Sequence, residues 1–334
     1  MKKKNVLGVA IAFSCVFSPI VLAENSEAET PPEEYELARQ TDPMPASVKS
    51  FIARVQDIDM RYPDSGSVDI DAFMAAEGEQ LALSYCGAMG FKDACTVQVK
   101  DGVESFVAVD AKAVARGAAG KEKWWQWLFD HLFNIGVIPE KAACPAPYAL
   151  TQIHMDDEDR RNANGRGGWI GAITSTNNTT YRFCKLDTLT SLLYRPLPKT
   201  GNEHDYAVLN MGVLCPSGAR RVLRVEEDEI WHNTNSSSGD NFPNFRIFNT
   251  WFNFYCHFDG GAKSVLGQMQ AFPKLGFAHG VFAPTALPAP FALQHGWVFQ
   301  DDEDTLNWNA WFFGSGDSVM YDGRNTWRGT AKVE

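Results

Sequence analysis

After residue 134 the chain is written in short apolar runs, broken every few positions by Gly, Asn, Asp or Pro. YALTQIHM, TTYRFCKL, YAVLNMGVL, RRVLRV, TWFNFYCHF, FAHGVFA and HGWVFQ are rich in β-branched and aromatic residues, and each predicts a strand. In RRVLRV, Val222 and Val225 do not alternate, so the pattern leaves the inward face of that strand unassigned. Upstream the period changes. SVKSFIARVQDIDMRY opens on a capping Ser47 and spaces Val48, Phe51, Ile52 and Val55 along one helical face. A second helix is predicted over 69–87, and TVQVKDGVESFVAV reads as a hairpin turning at Asp101-Gly102. KEKWWQWLFDHLFNIG, from Lys121, has a wide apolar arc that includes Trp124, Trp125 and Trp127. It reads as a junction helix packed against the strands, with contact to a membrane surface as the alternative.

The strand-rich part repeats itself. DDEDRRNAN begins at Asp156 and DDEDTLNWN at Asp301, preceded by CPAPYALTQIHM and LPAPFALQHGWVFQ. A diverged copy, CPSGARRVLRVEEDEIWHNTN, begins at Cys215. Each copy continues into an Asn-Thr strand, from Asn178, Asn249 and Asn325, and each is introduced by a Gly-Val landmark at Gly136, Gly212 and Gly280. The expected architecture is mainly β, with a C-terminal pseudo-threefold domain of three divergent repeats, β-trefoil or prism-like. The predicted repeats cover 134–209, 210–277 and 278–334. They follow a signal peptide (1–23), an acidic Pro-rich leader (24–46) and a small α+β domain (47–133).

The third copy acts as a control for the cysteines. It has Leu287 where the others have Cys144 and Cys215, and Ala331 where they have Cys184 and Cys256. Two positions that lose cysteine together are expected to bond to each other, which predicts Cys144–Cys184 and Cys215–Cys256 and leaves Cys86–Cys95.

MKKKNVLGVAIAFSCVFSPIVLA has the basic start, apolar run and small-residue exit of a secretory signal, so a secreted or periplasmic protein is expected. The net charge of −11 becomes −14 once three lysines leave with the signal, which disfavours nucleic acid and anionic surfaces as partners.

Adjacent carboxylates repel, so each acidic cluster must be solvated, bonded to nearby NH groups in a turn, or neutralised by a cation. Calcium wants six to eight oxygens. The first cluster offers Asp156, Asp157, Glu158, Asp159, Asn162 and Asn164. The second offers Glu227, Asp228, Glu229, Asn233 and Asn235, and the third Asp301, Asp302, Glu303, Asp304, Asn307 and Asn309. Downstream aromatics, Trp169, Phe242, Phe245, Trp311 and Phe312, suit a sugar, which has apolar CH faces and hydroxyl edges. No His-Glu-x-x-His, Gly-x-Ser-x-Gly, P-loop or Rossmann glycine pattern occurs. The sequence therefore points to a secreted binding module for a glycan or cell-surface ligand, with calcium as the one cofactor it implies. A membrane-active toxin using 121–136 is the alternative, and a glycan-acting hydrolase the third reading.

Overall fold

The computed structural model describes residues 53–54, 57–58, 61, 95–100, 103–108, 131–157, 162–228, 233–247, 249–302, 309–322 and 325–333. All belong to one compact unit, Met44–Glu334. The signal, the leader, the helix over 69–87, Cys86 and Trp124–Trp127 lie outside the described residues. Positions 53, 54, 57, 58 and 61 are helical, with Arg61 bonded to Asp57 one turn back and Ile58 buried. The hairpin is present as β1 (Cys95–Lys100) and β2 (Val103–Ala108), closing at the pair Lys100 and Val103. Among the described residues no helix is long and apolar enough to cross a membrane.

Fifteen further strands form one antiparallel network and fall into three sets of five. The first set is β3 (Ile135–Pro139), β4 (Ala149–Met155), β5 (Gly165–Gly168), β6 (Thr174–Ser175) and β7 (Thr179–Lys185). The second is β8 (Tyr206–Asn210), β9 (Ala219–Glu227), β10 (Ser236–Ser238), β11 (Phe245–Ile247) and β12 (Thr250–Phe258). The third is β13 (His279–Phe282), β14 (Gln294–Gln300), β15 (Ala310–Phe312), β16 (Met320–Asp322) and β17 (Thr326–Val333).

Within each set the long second and fifth strands pair: β4 with β7, β9 with β12, β14 with β17. Between sets, the third strand of one adds to the second strand of another: β10 to β4, β15 to β9, β5 to β14. The first strands pair in turn, β3 with β8, β8 with β13 and β13 with β3. The ladders therefore close a cycle, and no set can satisfy its backbone without both others.

Among the described residues, two disulfides fall where the cysteine pattern places them. Cys144–Cys184 and Cys215–Cys256 have Cα separations of 5.5 and 5.4 Å and span 40 and 41 residues. Around them one core cluster gathers Ile135, Tyr206, Val281, Leu287 and Ala331, so the third set fills the equivalent space with an aliphatic pair. A second cluster holds Ile138, Ile153, Trp169, Tyr181, Val222, Trp251, Phe282 and Val298.

One landmark needs correcting. Gly136 pairs with Leu209, Ala207 with Phe282 and Gly280 with Ile138, so Ala207, not Gly212, occupies the position in the second set that the two glycines occupy in theirs. Gly212 is required for another reason. A Cβ there would meet Asn134 N at 2.6 Å and His131 O at 2.7 Å.

A carboxylate junction and three outer faces

The acidic template is explained by bonds that cross from set to set. The first acid of each cluster is a staple. Asp156 accepts from Asn178 Nδ2 at 2.8 Å and from the Thr234 backbone NH at 2.6 Å. Asp301 accepts from Asn325 Nδ2 at 2.7 Å and from Ala163 NH at 2.5 Å, and Glu227 accepts from Asn249 at 3.3 Å. Their own NH groups donate to Asn235, Asn164 and Asn309 respectively, each supplied by a different set. The Asn-x-Asn spacing also has a local cause: Asn162 and Asn233 accept from the NH of Asn164 and Asn235, two residues on. Asn164, Asn235 and Asn309 are thus bridging amides.

The second acid of each cluster is buried at the junction. Asp157, Asp228 and Asp302 are each 0% exposed. One carboxylate oxygen from each lies within 4.8 Å of the other two. In each carboxylate one oxygen accepts hydrogen bonds: Asp157 Oδ2 from Thr179 and Asn164, both at 2.5 Å, Asp302 Oδ2 from Thr326 and Asn309, and Asp228 Oδ1 from Gln300. The other oxygen, Oδ1 of Asp157 and Asp302 and Oδ2 of Asp228, is buried and accepts none.

Below these carboxylates sits a buried ionic network that the strand patterns did not disclose. Arg224, Glu226 and Arg328 are fully buried. Arg328 donates to Glu226, to Tyr181 OH at 2.5 Å and to Gln300 at 2.9 Å, while Arg224 donates to Thr326 at 2.8 Å. The signal was the period of two in β9. Val222, Arg224 and Glu226 share one face of β9 by that period, although the strand is buried without a break from Arg221 to Glu226.

Burial pushes the Asp157 and Asp228 carboxyls well above the ordinary carboxylate range; the Asp302 charge adds to the rise at Asp157, and the Asp157, Asp302 and Glu226 charges add to it at Asp228. Burial pushes Asp302 up to about 7, with the Glu226 charge adding and the two guanidiniums opposing. Glu158, Asp159, Glu229, Glu303, Asp304 and Asn307 lie outside the described residues.

The aromatic candidates are mostly interior. Trp169, Phe242 and Phe245 are buried: the Trp169 indole donates to Glu140 at 3.0 Å, Phe242 meets the His131 ring edge-on, and Phe245 stacks on Phe252 at 4.7 Å. Trp311 lies half-buried under the Arg224 guanidinium, and Phe312 is half-buried on β15.

The exposed aromatics are elsewhere. On the outer side of the third set, Phe299, Trp327 and Tyr321 stand in register across β14, β17 and β16. Trp297 occupies the same face two residues along β14. Tyr321 is 65% exposed and Trp297 36%. On the neighbouring β5, Gly165 and Gly167 stand opposite Phe299 and Trp297, and a Cβ on Gly167 would meet the Trp297 indole at 2.6 Å. The same register in the first set reads Ser236, His154, Thr180 and Thr174, a polar row. In the second set it reads Ala310, Val225, Phe252 and Phe245, the last three buried.

At a third place the sets differ. Lys185 pairs with Asp240 at 2.5 Å and Lys332 with Glu140 at 2.9 Å, each following the position of the disulfide or its replacement. The second set has His257 there instead, with Nε2 3.0 Å from Ser318 Oγ and Nδ1 3.1 Å from Asp259. His257 and Arg220 together hold the Asp259 carboxyl down at about 2.

Compared with known proteins, residues 119–212 match a family described as bacterial ApeC. That span runs from the segment before β3 to just past β8 and is a similarity of that part alone. No curated protein and no solved structure matches the chain.

Proposed function

We propose that this chain is an exported, disulfide-bonded β protein made of three divergent copies of one unit in a trefoil- or prism-like cycle, and that it binds a glycan or cell-surface ligand. The third unit's outer face carries the reading. Phe299, Trp327 and Tyr321 stand in one cross-strand row beside Trp297, over two strand glycines. Aromatic faces left in water cost free energy, and a row of them beside glycine is the surface on which the CH face of a sugar ring packs. The ligand site thus moves from Trp169, Phe242 and Phe245 to the third unit. Two disulfides within a mostly β protein, together with the amino-terminal sequence pattern, support export. In the Trp-rich segment 121–136, Leu132 and Phe133 are buried, which favours its reading as a junction element over membrane contact. Binding of the mature protein to a panel of bacterial and animal polysaccharides, read by quenching of tryptophan fluorescence, tests the assignment. A saturable change with at least one polysaccharide is expected; none across the panel rejects it.

A second reading, hydrolysis, draws on the Ser318–His257–Asp259 relay. His257 Nε2 is placed to take the Ser318 proton and Asp259 to stabilise the resulting imidazolium. A fluorophosphonate probe that labels Ser318 in the parent protein but not in His257→Ala would support it, and absence of labelling in the parent removes it.

A further inference from the structure

We propose that Asp157, Asp228 and Asp302 jointly hold one hard divalent cation at the junction of the three strand sets. The sequence pattern led to three separate calcium sites, each built from neighbouring residues. The fold instead spends the first acid of each cluster, with its asparagines, on staples between sets, and gathers the second acids into one place.

Three observations carry the proposal. The first is convergence: three fully buried carboxylates, each from a different set, bring oxygens within 4.8 Å of one another. Oxygens that all lie about 2.4 Å from a shared calcium ion are at most about 4.8 Å apart, so this spacing matches one coordination sphere. The second is that each carboxylate keeps one buried oxygen with no hydrogen-bond donor, although Thr179, Asn164, Thr326, Asn309 and Gln300 supply donors to the other oxygen. Buried acceptors are ordinarily satisfied, and three orphans at one junction mark a missing partner that is not a protein donor. The third is charge. The junction holds four carboxylates, with Glu226 as the fourth, against the two guanidiniums of Arg224 and Arg328. Fully ionised, it carries an excess of two negative charges, which one divalent cation cancels. An all-oxygen donor set selects a hard ion over zinc, and the remaining sphere falls to water.

This inference is independent of the ligand reading, because the junction is buried and the aromatic face is on the outside. The mature protein, treated with chelator and desalted, is titrated with calcium, magnesium and zinc by calorimetry and by melting. One calcium or magnesium per chain is expected, with the melting temperature rising by about 5–10 °C at a hundredfold excess over Kd. Asp302→Asn keeps the shape of the side chain but removes one charge, and it is expected to weaken that affinity by about tenfold or more. Two results overturn the proposal. One is a chelator-treated protein whose melting responds to neither ion. The other is an Asp302→Asn variant that melts above the parent at saturating calcium, which would show that the junction is relieved by protons rather than by a cation. If the variant does not fold, the titration of the parent protein decides alone.

Discussion

The outer faces of the second and third sets are built at equivalent strand positions and have opposite fates. In the second set the register Ala310, Val225, Phe252 and Phe245 is aliphatic and aromatic, and its last three residues are buried. In the third, Gly165, Phe299, Trp327 and Tyr321 remain open to solvent in part or in large measure. Beneath both faces the inward strands meet the same junction: Glu226 and Arg224 come from one set, Gln300 and Arg328 from the other. The inside is constrained by a cycle of ladders and amide staples that every set must complete. The outside carries no such obligation, so it is where the sets diverge.

If that division is right, truncations on the two faces differ sharply. Phe252→Ala removes a fully packed ring and is expected to cost about 3–5 kcal/mol, whereas Trp297→Ala costs less than about 1 kcal/mol. Urea denaturation of both variants measures the gap, and equal losses would dissolve the distinction between a packed face and an open one.

Next in size come the disulfides. Replacing both Cys215 and Cys256 by Ala reopens a loop of about 40 residues and is expected to lower stability by about 3–4 kcal/mol in the chain-entropy picture. The third set does without a bridge, because Leu287 and Ala331 are fully buried in the same core cluster. Replacing Leu287 by Ala should therefore cost about 2–5 kcal/mol, comparable with losing a disulfide. Thermal melts of the variants without reductant check both losses.

A smaller effect tests the first strands, where Ile135 and Tyr206 have His279 as their counterpart. His279 is buried between Tyr194 OH at 2.9 Å and the Phe277 carbonyl at 3.2 Å. Burial pushes its imidazole down to about 4 from the usual 6.5. Between those pH values the unfolded chain binds a proton that the native chain refuses. Its contribution is therefore complete above about pH 6.5 and is lost as pH falls toward 4, by up to about 3 kcal/mol. Subtracting the stability–pH curve of His279→Gln from that of the parent isolates this slope, and a flat difference would mean that the imidazole is not held neutral.

Much of the strand content was readable from the chain because strand-forming runs are local: β4, β7, β8, β12 and β13 lie within the runs that predicted them, and β14 starts one residue before its own. The disulfide pairing was readable because the third copy lacks both partners at once. The junction was not. Asp157 meets Asp302, and Asn164 meets Asp301, only through pairings more than 130 residues apart in sequence, and no local pattern encodes those. Arg224 and Glu226 escaped for a related reason, since a charged residue at an inward position looks like a break in the pattern until its partner Arg328 is known. Trp169 and Phe245 were attractive as ligand residues by their nearness to acids along the chain. In the fold that nearness places them inside, while Trp297 and Tyr321, on the strands flanking the third cluster, face outward.

The most direct test of the account is a matched pair of double variants on two outer faces. Trp297→Ala/Tyr321→Ala removes the two exposed aromatics from the outer face of the third set, and His154→Ala/Thr180→Ala removes two members of the polar row of the first. Affinity for the best-bound polysaccharide is measured for each beside its melting temperature. The account predicts a loss of at least about tenfold for the first variant, no change for the second, and native-like melting in both. Undiminished binding by the Trp297→Ala/Tyr321→Ala protein would contradict it.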